Sequence, residues 1–271
     1  MRTKTIFFYV LLVVFAAIAL GPFLWAVYAS LVKNDINLNT FPLPLKDFGF
    51  ENYRFMFQQG QVGHWYLNSV VVTGAVTIVN LLINSMAGYA LARLRIPGGR
   101  VMFFSILGLM MVPAQVLYIP IYILVIHLGW MNTYWALIVP FLANPFGIFL
   151  MRQFFAGFPR ELEEASSIDG LSKYGTFFRI SLRLAGPALV AQAIFLFVWN
   201  WNNFPYPSVI ESTPNMYTLP VAIYQMTHTT YSNAIAKSMA GVMLSIVPVI
   251  IVYFFMQRRF VEGIAQTGIK G

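Results

Sequence analysis

The chain has 271 residues, of which 59% are hydrophobic and 10% are charged, and its formal net charge is +8. Soluble domains carry about 25% charged residues, so the composition excludes an ordinary soluble domain and favours a membrane protein. The absence of cysteine excludes disulfides, thiolate metal sites and cysteine nucleophiles. The absence of a GxxxxGK[ST] loop excludes ATP binding by that device.

Six apolar stretches have the roughly 20 residues that a membrane-spanning helix needs. They cover about residues 6–32, 66–92, 101–126, 132–151, 184–206 and 238–257, with no Asp, Glu, Lys or Arg in their cores. The first continues to about Leu31, too far for a cleaved signal peptide, so it is predicted to be a retained span. The expected fold is all-α: a polytopic membrane protein with six transmembrane helices in a single domain, 1–271, with a charged loop at 152–183 and a tail at 258–271.

The basic residues are unevenly distributed between the two sides of such a bundle. If the N-terminus lies inside, 13 of the 17 Lys and Arg residues fall on inner segments, and four fall on outer segments: Lys33, Lys46, Arg54 and Lys237. This bias predicts that both termini and the segment 152–183 lie in the cytoplasm. Topology then explains the basic net charge, so nucleic-acid binding is not expected.

Small and polar side chains follow the second span at steps of 4, 4, 3, 4 and 4 residues, at Ser69, Thr73, Thr77, Asn80, Asn84 and Gly88. At about 100° per residue, these positions share one helix face. Polar groups are unfavourable against lipid, so this face is predicted to point into the bundle. Two interpretations stay open, since such residues either pack helices together or line a pore.

The outer end of the fifth span combines amides with aromatic rings, at Trp199, Asn200, Trp201, Asn202, Asn203 and Tyr206. Amides can hydrogen-bond the hydroxyl groups of a solute and indoles can stack on its flat faces, so substrate lining is one interpretation of this cluster. An interfacial aromatic belt is the alternative for the Trp and Tyr residues. The spans lack the buried carboxylates and histidines that ion-driven carriers use as relays, which favours an energy source in another subunit and an uncharged polar solute.

The segment 152–183 carries nine of the chain's 26 charged side chains between two apolar stretches. Pro159 and the carboxylates after it favour a short helix, because both suit a first helical turn. Asp169–Gly170 is predicted to end that helix in a tight turn. A second helix is expected from about Ser172 and to run directly into span five near Leu184, so that a load on the short helix would pass to the span as a rigid-body movement.

The order of residues in this segment resembles the cytoplasmic "EAA" loop of binding-protein-dependent ABC importer permeases. Glu164-Ala165-Ser166, then Asp169-Gly170, then Ile180 and Leu182 follow the family pattern EAA-x-x-D-G, nine residues, I-x-L-P, with Ser166 for the third alanine and Arg183 for the proline. Ala87 to Arg93, Trp201 to Phe204 and the C-terminal stretch from Gln257 are similar to segments of maltose-type carbohydrate permeases, the last to the tail of their second permease subunit.

This resemblance implies a type I ABC importer permease fold with a coupling helix between helices 4 and 5. It implies a heterodimer with a paralogous permease, two cytoplasmic ATPase subunits that bind ATP and Mg, an extracytoplasmic solute-binding protein and a sugar substrate in a bacterial or archaeal cytoplasmic membrane. The chain itself is expected to bind no cofactor and to catalyse no reaction. The implied ATPase contacts are Glu161, Glu164, Ala165, Ser166, Asp169 and Gly170 in the loop, and Gln266, Thr267, Gly268 and Lys270 in the tail.

Candidate pore or substrate-lining residues are Thr73, Thr77, Asn80, Asn84, Asn200, Asn202 and Asn203. An importer permease for glycerol phosphate or another polar solute is the nearest alternative function, and an ion-coupled secondary carrier is a more distant one. An intramembrane enzyme would need buried acid–base groups, which the spans do not offer. His64, His127 and His228 are separated and lack neighbouring carboxylates, so no metal site is predicted.

Overall fold

The computed structural model describes residues 2–33, 45–59, 61–226 and 235–268. Within these ranges the chain is helical, and its β pairing is limited to an isolated bridge between Val32 and Phe48. The helices are α1 (Arg2–Leu31), α2 (Glu51–Gln59), α3 (Val62–Arg93), α4 (Gly99–Met110), α5 (Tyr118–His127), α6 (Tyr134–Ile138), α7 (Pro145–Ala156), α8 (Glu161–Ile168), α9 (Lys173–Thr176), α10 (Leu182–Leu184), α11 (Gly186–Trp201), α12 (Pro207–Ile210), α13 (Leu219–Gln225) and α14 (Ile235–Gly268). The predicted all-α class is confirmed.

Three of the described helices are long and apolar enough to cross a membrane without a break: Thr5–Leu31 in α1, Val62–Arg93, which is α3, and Ile235–Phe255 in α14. The most apolar part of α1 has no buried residue, and a helix that is apolar on all sides is typical of a membrane span. Pro22 and Pro248 lie inside α1 and α14, where neighbouring groups in a membrane bundle can satisfy the freed carbonyls.

The other apolar stretches are bent pairs of helices. The pair Gly99–Met110 and Ala114–His127 bends by 96°, the pair Tyr134–Phe141 and Pro145–Ala156 by 40°, and the pair Lys173–Leu184 and Gly186–Trp201 by 76°. A proline stands at or just after each break. Proline cannot donate the backbone hydrogen bond that would continue the preceding helix, so it favours a break there. The described chain thus has three candidate spans, or up to six if each bent pair counts as one.

The third bend overturns one expectation. The second helix of the charged segment was predicted to run directly into span five, but the helical path breaks at Ala185, between α10 and α11. Residues Phe177–Ser181 form a π-helical segment just before this break. Pro187 lies in the first turn of α11, so it starts a new helix rather than extending the old one.

The chain divides into two compact units, residues 1–66 with 218–248 and residues 67–217 with 249–271. In the first unit, α2 lies against α1. The buried Asn52 side chain donates hydrogen bonds to the carbonyl oxygens of Ser30 (2.9 Å) and Val32 (2.7 Å), which satisfies acceptors at the end of α1.

Two hydrophobic cores lie among the described residues of the second unit. One gathers buried residues of α3, α5, α6 and the segment after α11, namely Val72, Val125, Ala136, Leu137, Tyr206 and Ile210. The Tyr206 hydroxyl donates to the Ala136 carbonyl at 2.9 Å, so its burial leaves no unpaired hydroxyl there. The other core contains Tyr89, Met151, Phe155, Phe177 and Ala185, and it joins the charged segment to α3 and α7.

Candidate functional site

The charged segment forms two short helices joined by a tight turn. Helix α8 has three carboxylates in its first turn, where they complement the helix dipole. Asp169 follows the helix, and Gly170 has a φ of 77°, a left-handed conformation that glycine adopts without steric cost. Ser172 then caps α9, since its hydroxyl accepts a hydrogen bond from the Gly175 amide at 3.2 Å. The predicted helix and turn are both present.

Helix α8 has an inner side and an outer side. The Ser166 side chain is buried, and its hydroxyl lies 2.8 Å from the Thr176 hydroxyl on α9. The outer side exposes Glu161, Glu164 and Ala165, and the apolar Ile168 is 87% exposed. Five of the six predicted coupling residues are therefore accessible, whereas Ser166 holds α8 against α9.

An ion pair ties α8 to the end of α3. The Arg93 Nε lies 3.2 Å from the Glu163 Oε1, and both side chains are mostly buried. The same guanidinium donates a hydrogen bond to the Phe158 carbonyl oxygen. Charge-assisted hydrogen bonds are stronger than neutral ones. Arg93 therefore holds α8 through Glu163 and the residues before α8 through Phe158.

An aromatic cluster attaches the other end of the segment. Phe177 lies 5.2 Å from Tyr89 and 6.2 Å from Phe155, and the Tyr89 and Phe155 rings are 5.4 Å apart, edge to face. All three are buried, so α3, α7 and the π-helical segment share one packed contact. A displacement of the charged segment must move this cluster or break it.

The polar stripe on α3 is buried within the chain. Thr73, Thr77, Asn80 and Asn84 are each less than a tenth exposed. The Asn84 amide donates to Asn80 Oδ1 at 2.7 Å, the Asn80 amide donates to the Phe141 carbonyl, and the Asn144 backbone amide donates to Asn84 Oδ1 at 3.2 Å. These hydrogen bonds join α3 to Phe141 and Asn144, which is consistent with the helix-packing interpretation. At Gly88, a Cβ would meet the Arg152 amide nitrogen at 2.7 Å, so α3 and α7 are in backbone contact there.

The amides of α11 have different surroundings. Asn200 is buried and lines a cavity of about 160 Å³ together with Asn80, Asn144, Tyr118 and Trp199. Its amide donates to the Leu196 carbonyl at 2.8 Å.

The two amides that follow Asn200 are not among the lining residues of this cavity. Asn202 is exposed and donates to the Val198 carbonyl at 2.8 Å. Asn203 is half-buried, and its backbone amide donates to the Asn200 carbonyl at 3.2 Å. Of the seven predicted lining residues, this cavity therefore brings Asn80 and Asn200 together.

The predicted tail contacts lie at the end of α14. The helix continues to Gly268, so the backbone of Gln266, Thr267 and Gly268 is helical, and Lys270 lies outside the described residues. Helix α14 has 34 residues. A bilayer needs roughly 20, so the helix extends well past the apolar stretch that ends near Phe255.

Sequence reasoning missed several residues that build these sites. Arg93, Glu163, Thr176 and Phe177 hold the charged segment, Asn144 bonds to Asn84 inside the bundle, and the buried Gln192 lies beside Gly147. Asn144 carried a usable signal, because it directly precedes Pro145, and an Asn before a Pro at the first helical position is a typical helix start. Its side chain does cap α7, accepting from the Gly147 amide at 3.0 Å.

Comparison with known proteins identifies the family. Residues 84–266 match the family "Binding-protein-dependent transport system inner membrane component". The arabinooligosaccharides transport system permease protein AraQ of Halalkalibacterium halodurans is 37% identical over 263 residues, which cover 94% of this chain and 93% of that protein. The galactooligosaccharides transport system permease protein GanQ of Bacillus subtilis is 30% identical over 273 residues, covering 99% and 96%.

A solved structure agrees with this match. The crystal structure of a bacterial ABC transporter involved in the import of the acidic polysaccharide alginate contains a chain that superposes with a TM-score of 0.81 at 25% identity, covering 96% of this chain and 97% of that one. The fold and the sequence thus lead to the same family, and the resemblance seen in the loop motifs is confirmed. The chain belongs to the binding-protein-dependent transport system inner membrane components, the permease subunits of ABC importers.

Proposed function

We propose that this chain is the second permease subunit, as in the maltose-type systems, of an ABC importer that takes up a sugar or oligosaccharide by alternating access. A paralogous permease supplies the other half of the pore, and two ATPase subunits bind ATP and Mg²⁺. A solute-binding protein delivers the substrate from the outer side. The chain itself has no catalytic role and binds no cofactor. Both termini and the segment 152–183 lie in the cytoplasm, as the positive-inside bias supports.

The relatives and the cavity lined by Asn80, Asn144 and Asn200, called the amide cavity below, support a carbohydrate substrate. The two relatives are named for arabino- and galacto-oligosaccharides, and the solved neighbour for alginate. Asn80, Asn144 and Asn200 offer amide donors and acceptors beside the Trp199 indole. An amide can both donate to and accept from a hydroxyl, and an indole presents a flat apolar face, so this lining suits a sugar. Asn84 supports this lining from behind through its hydrogen bonds to Asn80 and Asn144, and Asn202 and Asn203 lie at the end of α11.

The outer side of α8 is the observation that carries the coupling role. Glu161, Glu164, Ala165 and Ile168 are exposed together, while Ser166 and Glu163 hold the helix from within. The exposed Ile168 and Leu162 place apolar surface on this helix, and a docked partner would remove that surface from water. The ATPase subunit is this partner, and Asp169 and Gly170 shape the turn that ends the docking helix.

Charge reversal at Glu164 and a bulky residue at Gly170 test this role. Glu164→Lys places a positive charge opposite the ATPase surface that we propose to contact the Glu164 carboxylate. Like charges facing each other in an interface cost several kcal/mol, so substrate-dependent ATP turnover should fall more than about tenfold. Gly170→Val places a side chain at a residue with a left-handed φ. This conformation costs about 1–2 kcal/mol for a residue other than glycine, so the substitution should distort the turn. The measurements are co-purification of the ATPase, ATP turnover and sugar uptake in proteoliposomes.

Each variant has a matched control. Gly98 also has positive φ, 71°, and open space around its Cβ position, but it lies outside the segment, so Gly98→Val carries a similar strain and should leave coupling intact. Glu51→Lys reverses an exposed carboxylate on α2. Full co-purification, turnover and uptake in both Glu164→Lys and Gly170→Val would refute the coupling role.

A further inference from the structure

A polar pocket of about 520 Å³ lies beside α8, where α3 ends. Its charged lining consists of Arg93, Arg95, Arg160, Glu163, Glu164 and Lys173. Four cations thus face two carboxylates, which leaves a net charge of +2 in a concave space. Such a pocket attracts an anion.

Three of the four cations are available to a ligand. Arg93 is committed to Glu163 and to the Phe158 carbonyl, so that guanidinium and that carboxylate neutralise each other. Arg95, Arg160 and Lys173 are exposed, and none of them forms an ion pair within the part of the chain that the structure describes. Glu164 is then the remaining uncompensated carboxylate, so the free groups of the pocket still carry an excess of positive charge.

The position of the pocket limits the kind of anion. Helix α3 is an apolar candidate span whose last turn contains Arg93, so the pocket lies at the depth where a span meets the lipid headgroups. The half-exposed Leu94 lies between the two arginines and offers an apolar contact for an acyl chain. Guanidinium groups bind phosphate oxygens in a bidentate manner, and basic groups next to a span are typical of anionic-lipid sites.

We infer that this pocket binds the phosphate group of an anionic phospholipid headgroup. The lipid phosphate sits between Arg95 on the α3 side and Arg160 and Lys173 on the α8–α9 side. It therefore bridges the end of a span to the helix that carries the exposed carboxylates. This site is separate from substrate and nucleotide; it shares Glu164 with the proposed ATPase-docking side of α8, and its free cations Arg95, Arg160 and Lys173 are not among the proposed ATPase contacts.

The test measures lipid retention by the full chain purified with its partner subunits in phosphatidylcholine nanodiscs. Phosphatidylglycerol is titrated in, and bound lipid is counted by native mass spectrometry. Removing two pocket cations with Arg95→Gln/Lys173→Gln should weaken phosphatidylglycerol binding about 20- to 30-fold, at about 1 kcal/mol per cation near the membrane. The single variant Arg160→Gln removes one pocket cation outside the proposed ATPase contacts and should weaken binding about fivefold, which keeps the test decisive if the double variant folds poorly.

The matched control is Arg179→Gln/Arg183→Gln, which removes two exposed cations of the same segment that do not line the pocket. It should retain the lipid as the unaltered chain does. Equal loss in both double variants would show general surface attraction and overturn the inference. Inorganic phosphate that binds with the same dependence on Arg95 and Lys173, without any preference for phosphatidylglycerol, would overturn the lipid assignment. Unchanged lipid binding with a weakened ATPase contact would assign the pocket to that partner and overturn it as well.

Discussion

At the scale of single residues, two amides in the same helix have different surroundings. Asn200 and Asn202 each donate to the carbonyl four residues earlier at 2.8 Å, but only Asn200 is buried beside the amide cavity. Sequence alone could not separate them, because both follow tryptophan at the end of one apolar stretch. The two side chains point in directions that differ by about 200° of rotation around the helix axis. This difference decides which of them can contact a solute.

Asn200→Leu should raise the KM for sugar uptake about tenfold, since one or two hydrogen bonds to substrate hydroxyls contribute about 1 kcal/mol each. Asn202→Leu should change the KM less than about twofold, because that side chain is exposed away from the cavity. Uptake of labelled oligosaccharide into proteoliposomes measures both. Equal effects of the two substitutions would contradict a role for the cavity in transport.

A pair of glycines on α3 gives a second residue-level prediction. A Cβ at Gly88 would lie 2.7 Å from the Arg152 nitrogen and from the Met151 Cβ, whereas a Cβ at Gly74 would meet nothing within 4 Å. Gly88→Ala should therefore destabilise the chain by about 1–3 kcal/mol through overpacking. Gly74→Ala should be neutral or should stabilise the helix by up to about 1 kcal/mol. Thermal unfolding of the detergent-purified chain measures the difference, and equal Tm values would refute the close contact of α3 with α7.

At the scale of elements, the charged segment is held to the bundle at two places. Arg93 and Glu163 join the end of α3 to α8, and Phe177 packs between Tyr89 and Phe155 near the start of the path to α11. The outer side of α8 remains free for a partner. The segment is thus attached to the bundle through Glu163 and Phe177. Between these two residues, Glu164, Ala165 and Ile168 are exposed.

Exchange of the ion pair tests the first anchor. Arg93→Glu or Glu163→Arg alone leaves like charges together in a mostly buried place and should loosen α8 by about 1–3 kcal/mol. The double exchange should restore most of the loss, short of the hydrogen bond from Arg93 to Phe158. Hydrogen exchange at the α8 amides reports the loosening. Additive effects of the two single exchanges would show that the pair does not interact.

The sequence predicted the helices better than it predicted their directions. Apolar length predicted six stretches, of which three correspond to unbroken helices and three to bent pairs, and the Asp169–Gly170 turn was predicted from the left-handed preference of glycine. The 96° and 76° bends were not predicted, because the angle at a break depends on packing against distant residues rather than on the local sequence. Ser166 was assigned to the partner surface for the same reason: its inward direction follows from Thr176, ten residues later.

At the scale of the whole molecule, family membership explains why so much of this chain is apolar on its outside. Exposed large hydrophobic side chains run along α1, α4 and the apolar part of α14. An importer permease buries such faces in lipid and against a second permease. The long α14 then leaves the apolar region and continues to Gly268, which makes its end available to a soluble subunit.

Removal of residues 267–271 tests the predicted contact of Thr267, Gly268 and Lys270 with the ATPase. Substrate-coupled ATP turnover should fall about tenfold if the lost contact contributes about 1.4 kcal/mol. Removal of Gly271 alone should have little effect, since no contact is assigned to it. Unaltered turnover after the longer deletion would show that the tail is passive.

The 76° bend at Ala185 has a mechanical consequence. For two rods at this angle, a push along the axis of the first has only about a quarter of its magnitude along the axis of the second, and nearly all of it acts sideways. We therefore expect a displacement of Lys173–Leu184 along its own axis to tilt α11 and not to slide it along the axis of α11. Tilting keeps the side chains of α11 near their original depth in the bilayer, so such a movement transfers no apolar residue of this helix into water.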